Sequence, residues 1–137
     1  MDNTAQFIKE IEKFKEEIEQ EGVDLVKKTA ELAFDMLVMY SPVFTGSYVM
    51  SHRIGLNGPS NAPPTIHAGL KLGAGAKRLA MSRKAELQRI DKKVTSVHIT
   101  NDLYYAVNVE YGWATGHPGY FPFTNTMNAM RVALGAF

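Results

Sequence analysis

The apolar residues Phe7, Ile11, Phe14, Ile18, Leu25, Leu32 and Met36 recur at steps of three, four or seven. That is the period of an α-helix. Asn3 followed by Gln6 has the form of a capping box. The pattern ends at Pro42, whose ring clashes with the turn before it and which offers no N–H. Ser41 is steered away from helical backbone for a related steric reason. The spacing predicts a helix from about Thr4 to about Tyr40, about 55 Å long if straight. A compact domain of this length has a diameter under about 40 Å. The helix does not fit inside its own domain. One resolution is a break near Gly22, where glycine is about 1 kcal/mol worse than alanine. The other is an overhang that carries Phe7, Ile11, Phe14 and Ile18 to another subunit. A lone stripe of this kind more often folds back on its own core, and that is the expectation here.

After Pro42 the period changes. Tyr48, Met50, His52 and Ile54 alternate with Val49, Ser51 and Arg53, which predicts a strand over 43–56, with Thr45-Gly46 as its turn. Residues 57–75 are rich in Gly, Pro and Asn and are expected to form a long flexible loop. A basic segment, 76–93, has apolar residues of poor period, though Ala76 to Ile90 is compatible with a helix. Thr95, Val97 and Ile99 alternate with Ser96, His98 and Thr100. After the Asn101-Asp102 turn signal, Tyr105, Val107, Val109 and Tyr111 alternate again. These two runs predict a β-hairpin over 94–112. Phe123, Met127, Met130, Leu134 and Phe137 lie at helical spacing behind Pro122, so 121–137 is expected to be a helix. Helices and strands segregate along the chain. The expected class is α+β, a long N-terminal and a short C-terminal helix packed on an antiparallel sheet.

The chain has 137 residues, which favours a single domain spanning 1–137. Cysteine is absent, which removes thiol catalysis, Cys-type zinc sites and disulfides. The formal net charge of +1 argues neither for nucleic acid nor for a membrane. No apolar run approaches the ~20 residues that span a bilayer. The N-terminus has acids where a signal peptide has bases, so a protein made in the cytoplasm is expected.

A catalytic centre is not apparent. His52, His67, His98 and His117 show no metal-ligand spacing. His52 and His98 are expected on a surface or sheet face. Gly69, Gly73, Gly75 and Lys77 do not make a phosphate loop, because Ala76 and Arg78 flank the lysine. The serines at 41, 47, 51 and 82 lack a nucleophile elbow. Asp102 and Glu110 are separated on a turn and a predicted strand, an unsuitable pair for acid–base work.

Charge is unevenly spread. Glu10, Glu12, Glu16, Glu17, Glu19 and Glu21 make the first helix acidic, whereas Lys71, Lys77, Arg78, Arg83, Lys84, Arg89, Lys92 and Lys93 make the middle basic. Opposite signs on one small chain suit contact between copies. The basic segment is also compatible with nonspecific phosphate contact, although it lacks interleaved aromatics for base stacking.

The order of three motifs resembles the head–tail joining and tail-completion (neck) proteins of long-tailed phages. The matching residues are Pro42, Thr45, Gly46 and Ser51; then Tyr105, Ala106, Glu110, Tyr111 and Gly112; then Pro122 and Phe123. Phe44 stands where that family often has Asp, and Trp113 where it commonly has a small residue. The resemblance implies a virion protein without cofactor or catalysis. It would act as a ring, hexameric in the virion, joining the tail tube to the head connector around the DNA channel. The implied partners are copies of itself, head connector or stopper proteins, and a tail terminator or tail tube protein. Candidate interface or DNA-facing residues are Phe7, Ile11, Phe14, Ile18, Lys71, Lys77, Arg78, Arg83 and Lys84. Glu110 is expected to pair with a base, either Arg53 on the adjoining strand or a residue of the next subunit, and Tyr105 and Tyr111 to face the core under the first helix. Two other roles stay open: a tail terminator capping the tube, and a small nonspecific nucleic-acid-binding module using Lys71 to Lys93.

Overall fold

The computed structural model describes residues 3–66 and 73–135. Lys71, His67 and Gly69, named above, lie outside them, as does Phe137. The fold is α+β. The first helix, α1 (Asn3–Tyr40), runs unbroken for 38 residues. Gly22 does not interrupt it, because the strong helix formers Glu19, Gln20, Glu21 and Leu25 surround that single penalty. The helix ends as expected before Pro42. Ser41 N–H donates to the Val38 carbonyl at 3.2 Å and its hydroxyl to the Leu37 carbonyl at 2.6 Å.

The predicted strand over 43–56 is only half a strand. Gly46, at φ 91°, reverses the chain into a single helical turn, α2 (Ser47–Met50), and β1 (His52–Leu56) follows. Residues 46–49 and 51–55 are all buried. Both faces of this segment are covered, so the alternation carried no inside–outside information.

The predicted hairpin over 94–112 is corrected. Its first strand exists as β2 (Val97–Asn101), but it pairs antiparallel with β1, His52 opposite Asn101 and Leu56 opposite Val97. Its second strand is a helix, α4 (Ala106–Tyr111). The Asn101 side chain closes a turn on the Leu103 N–H at 3.1 Å, and Ala106 N–H donates to the Leu103 carbonyl at 2.9 Å. Leu103 and Val109 are the buried apolar residues here, with Tyr105 and Ala106 packed against them. That set has helical spacing, and burial overrode the two-residue alternation.

The basic segment becomes α3 (Gly73–Ala80) and a 3-10 helix over Met81–Arg89. Helix α3 takes up the end of the expected 57–75 loop. The last helix, α5 (Pro122–Leu134), has Pro122 in its first turn and Gly135, at φ 66°, as its C-terminal cap. Ala30, Phe34, Val38, Val49, Ile54, Ala76, Ala80, Leu87 and Ile90 form the main core. Tyr48, Leu103 and Val109 form a second, smaller core beside α2 and α4.

The apolar stripe does not fold back. Residues 4–18 of α1 are all exposed, Phe7 at 61% and Phe14 at 63%. At 100° per residue the stripe points roughly 160° away from the Ala30, Phe34 and Val38 line that meets the core. A rigid helix cannot turn both lines toward one core.

Candidate functional site

The motif residues converge at the C-terminal end of α1. His52 is fully buried, not on a surface. The Ser41 hydroxyl donates its hydrogen bond to the Leu37 carbonyl, so its oxygen accepts from His52 Nε2–H at 2.7 Å. His52 Nδ1 then accepts from Asn101 Nδ2 at 3.2 Å, and the same amide donates to the Tyr48 carbonyl at 2.8 Å. The trio of Ser, His and Asn resembles a catalytic triad in composition only. Its serine proton points at a backbone carbonyl, and all three partners are buried or half-buried between α1 and the sheet. Burial, and secondarily the Arg53 charge, push the imidazole down to about 3, so it stays neutral and structural. Sequence reasoning missed this network because its members lie far apart in the chain.

Arg53 is buried, with no carboxylate paired to it among the described residues. Its guanidinium donates to the carbonyls of Met50 (2.6 Å), His52 (3.1 Å) and Pro63 (2.7 Å) and to Thr65 Oγ1 (3.2 Å). Ser51 Oγ donates to the Ser47 carbonyl at 2.6 Å and accepts from Thr65 N–H at 2.9 Å. These two residues pin 63–65 to β1, so the described part of the expected flexible loop is held.

Glu110 does not pair with Arg53. Its carboxylate accepts from Phe123 N–H (3.0 Å), Thr124 N–H (2.9 Å) and Thr124 Oγ1–H (2.7 Å). Phe121, at φ 54°, provides no side-chain cap of its own. Glu110 therefore satisfies orphan amides at the start of α5 and faces its positive dipole end. Two motifs distant in sequence, Glu110-Tyr111-Gly112 and Pro122-Phe123, meet through this one carboxylate. Gly112, at φ 110°, ends α4. Gly119 lies so close that an added Cβ would collide with the Glu110 carbonyl.

Pro42 is half-buried, directly after α1. Thr45 is exposed, and its Oγ1 donates to Ser47 Oγ at 3.0 Å. Tyr105 is half-buried; burial, then Tyr104, raise its hydroxyl, and a hydrogen bond with Thr45 opposes them. Ala106 is half-buried. Tyr111 is 71% exposed and does not face the core. With Val107, and with Tyr104 in the turn before α4, it forms an open apolar face beside the ring cluster of Phe44, Trp113 and Tyr120.

Several cations of the basic segment are occupied. Lys77 Nζ donates to the Met39 carbonyl at 3.0 Å, at the negative end of α1. Lys84 Nζ lies 2.9 Å from Glu31 and 2.8 Å from Asp35, and the hydrogen bond to Asp35 is the first cause of its raised ammonium. Arg78 is exposed and Arg83 half-buried. Among the described residues no three His, Asp or Glu converge to hold a metal, and no helix is long and apolar enough to cross a membrane. No family model, no characterised protein and no solved structure matches this chain.

Proposed function

We propose that this chain is a structural protein of the head–tail interface of a long-tailed phage, a neck or tail-completion protein. It forms a ring that joins the tail tube to the head connector around the DNA channel. The observation that carries this reading is a pair of exposed apolar surfaces. One is the Phe7–Ile18 stripe; the other is the Tyr104, Val107 and Tyr111 face. A ring subunit must present surfaces to neighbours on more than one side. The Glu110 cap gives a physical reason for the order of motifs on which the resemblance rests. The engagement of Lys77 and Lys84 by α1 leaves fewer cations for phosphate, which weakens the nucleic-acid-module alternative.

Light scattering and electron microscopy of the chain mixed with tail tube and head connector proteins test this. The expected result is ring-shaped particles that contain the chain. A chain that ignores both partners, yet binds duplex DNA with steep salt dependence, would overturn the proposal.

A further inference from the structure

The stripe on α1 has a matching surface on the same helix. Leu25 and Leu32 continue the line of Ile11 and Ile18 at seven-residue steps, and Phe7 and Phe14 lie on the companion line of a heptad. Beside the inner half, between α1 and β2, runs an open groove of about 450 Å³. It is lined by Leu25, Val26, Thr29, Ala33, Val97 and Ile99. Ala33, Val97 and Ile99 also line its extension toward Met127 and Met130 on α5, about 330 Å³. One helix thus carries protruding side chains on its outer half and a groove along its inner half.

We infer that two copies of this chain pair through α1, antiparallel, about a two-fold axis between Glu19 and Gln20. In that arrangement Phe7 meets Leu32 of the second copy and Phe14 meets its Leu25. Ile18 packs on Gly22, where the absent side chain lets the helices approach. Ile8, 50% exposed and off the main stripe, falls on the flank that faces the groove. Glu10 and Lys28 are five helical turns apart and so share the opposite flank; antiparallel pairing sets each beside the other's counterpart.

Charge selects the orientation. A parallel pair would bring the acidic outer halves together, with Glu10, Glu17 and Glu21 of both copies side by side. An antiparallel pair separates most of them and leaves Glu17 and Glu21 close only near the axis. Symmetry selects the partner. Because stripe and groove lie on one side of one helix, a two-fold axis fills both at once and closes the assembly. The contact runs about 45 Å from Phe7 to Met36, long enough to reach the roughly 1,000 Å² of a specific interface.

The dimer occupies the stripe named above as a ring surface and is therefore the state of the free chain before assembly; its test uses the chain alone, whereas the neck proposal is tested with partner proteins. Sedimentation equilibrium is expected to show a dimer. The chain has no cysteine, so introduced thiols report the register. Ile18→Cys should cross-link under oxidation and Phe7→Cys should not. Gly22→Lys should yield a monomer of half the mass with an unchanged circular dichroism spectrum, since a Cβ there meets nothing within 4 Å in a single copy. Glu21→Leu should tighten the dimer about tenfold by extending the Phe7, Phe14 line. A monomer at every concentration, equal cross-linking of Phe7→Cys, or a dimer that survives Gly22→Lys would overturn the inference.

Discussion

From Thr4 to Ile18, α1 exposes every side chain; from Ala30 to Val38, the same helix buries Ala30, Phe34, Leu37 and Val38. The two stretches share the helical period, although the inner one is the more apolar, with seven apolar residues of nine against six of fifteen. They differ in what stands beside them. The inner half is enclosed by α5, the 3-10 helix and α3, and its end is tied to β1 through Ser41 and His52. Among the described residues, the outer half from Phe7 to Ile18 stays exposed. Amphipathic pattern makes a helix ready to be buried, but burial needs a neighbour of the right phase.

The largest expected effect lies in the inner half. Phe34→Ala should destabilise the fold by about 3–5 kcal/mol in chemical denaturation, because Phe34 is fully buried and leaves a cavity. At concentrations low enough to keep the chain monomeric, Phe14→Ser should change stability by no more than about 0.5 kcal/mol. Equal losses at the two positions would break the comparison.

The cap on α5 comes next. Glu110→Ala should lower stability by about 2–3 kcal/mol, leaving the Phe123 and Thr124 amides without their acceptor. If α5 is a mere accessory to the inner half of α1, the loss will be far smaller.

Acid tests the tie between α1 and β1. His52 in the folded chain is lowered from the ordinary 6.5 to about 3. Below pH about 6.5 the unfolded chain takes up a proton that the folded chain refuses. Its contribution is therefore full above that pH and is lost as pH falls toward 3, at up to about 1.4 kcal/mol per pH unit. His52→Gln should flatten this part of the profile in thermal denaturation across pH.

The smallest effect sharpens the picture of the second core. Tyr48 is buried, and its hydroxyl has no hydrogen-bond partner among the described residues. Burial, then the Glu110 charge, raise that hydroxyl. Tyr48→Phe should be neutral or stabilising by about 1 kcal/mol, since it removes an unsatisfied polar atom.

Local chemistry was legible wherever the chain's own bonding sets the outcome. The period of α1, its stop at Pro42, the turn at Gly46 and the start of α5 at Pro122 all follow from helical spacing and from what proline and glycine backbones permit. The hairpin was not legible, because alternation in Val97–Asn101 shows that a strand wants a partner without showing which one. The roles of Glu110, Arg53 and His52 were hidden for the same reason. Each is defined by atoms 10 or more residues away that only the fold brings within hydrogen-bond reach.

Sequence alone determined a helix too long for its own domain, with an apolar stripe along its outer half, because helical period is a property of neighbouring residues. Tertiary structure decided which face of that helix meets the core and that the stripe ends up on the far side. Those outcomes depend on where β1, β2 and α5 pack, and packing is settled by contacts between segments that have no fixed spacing along the chain.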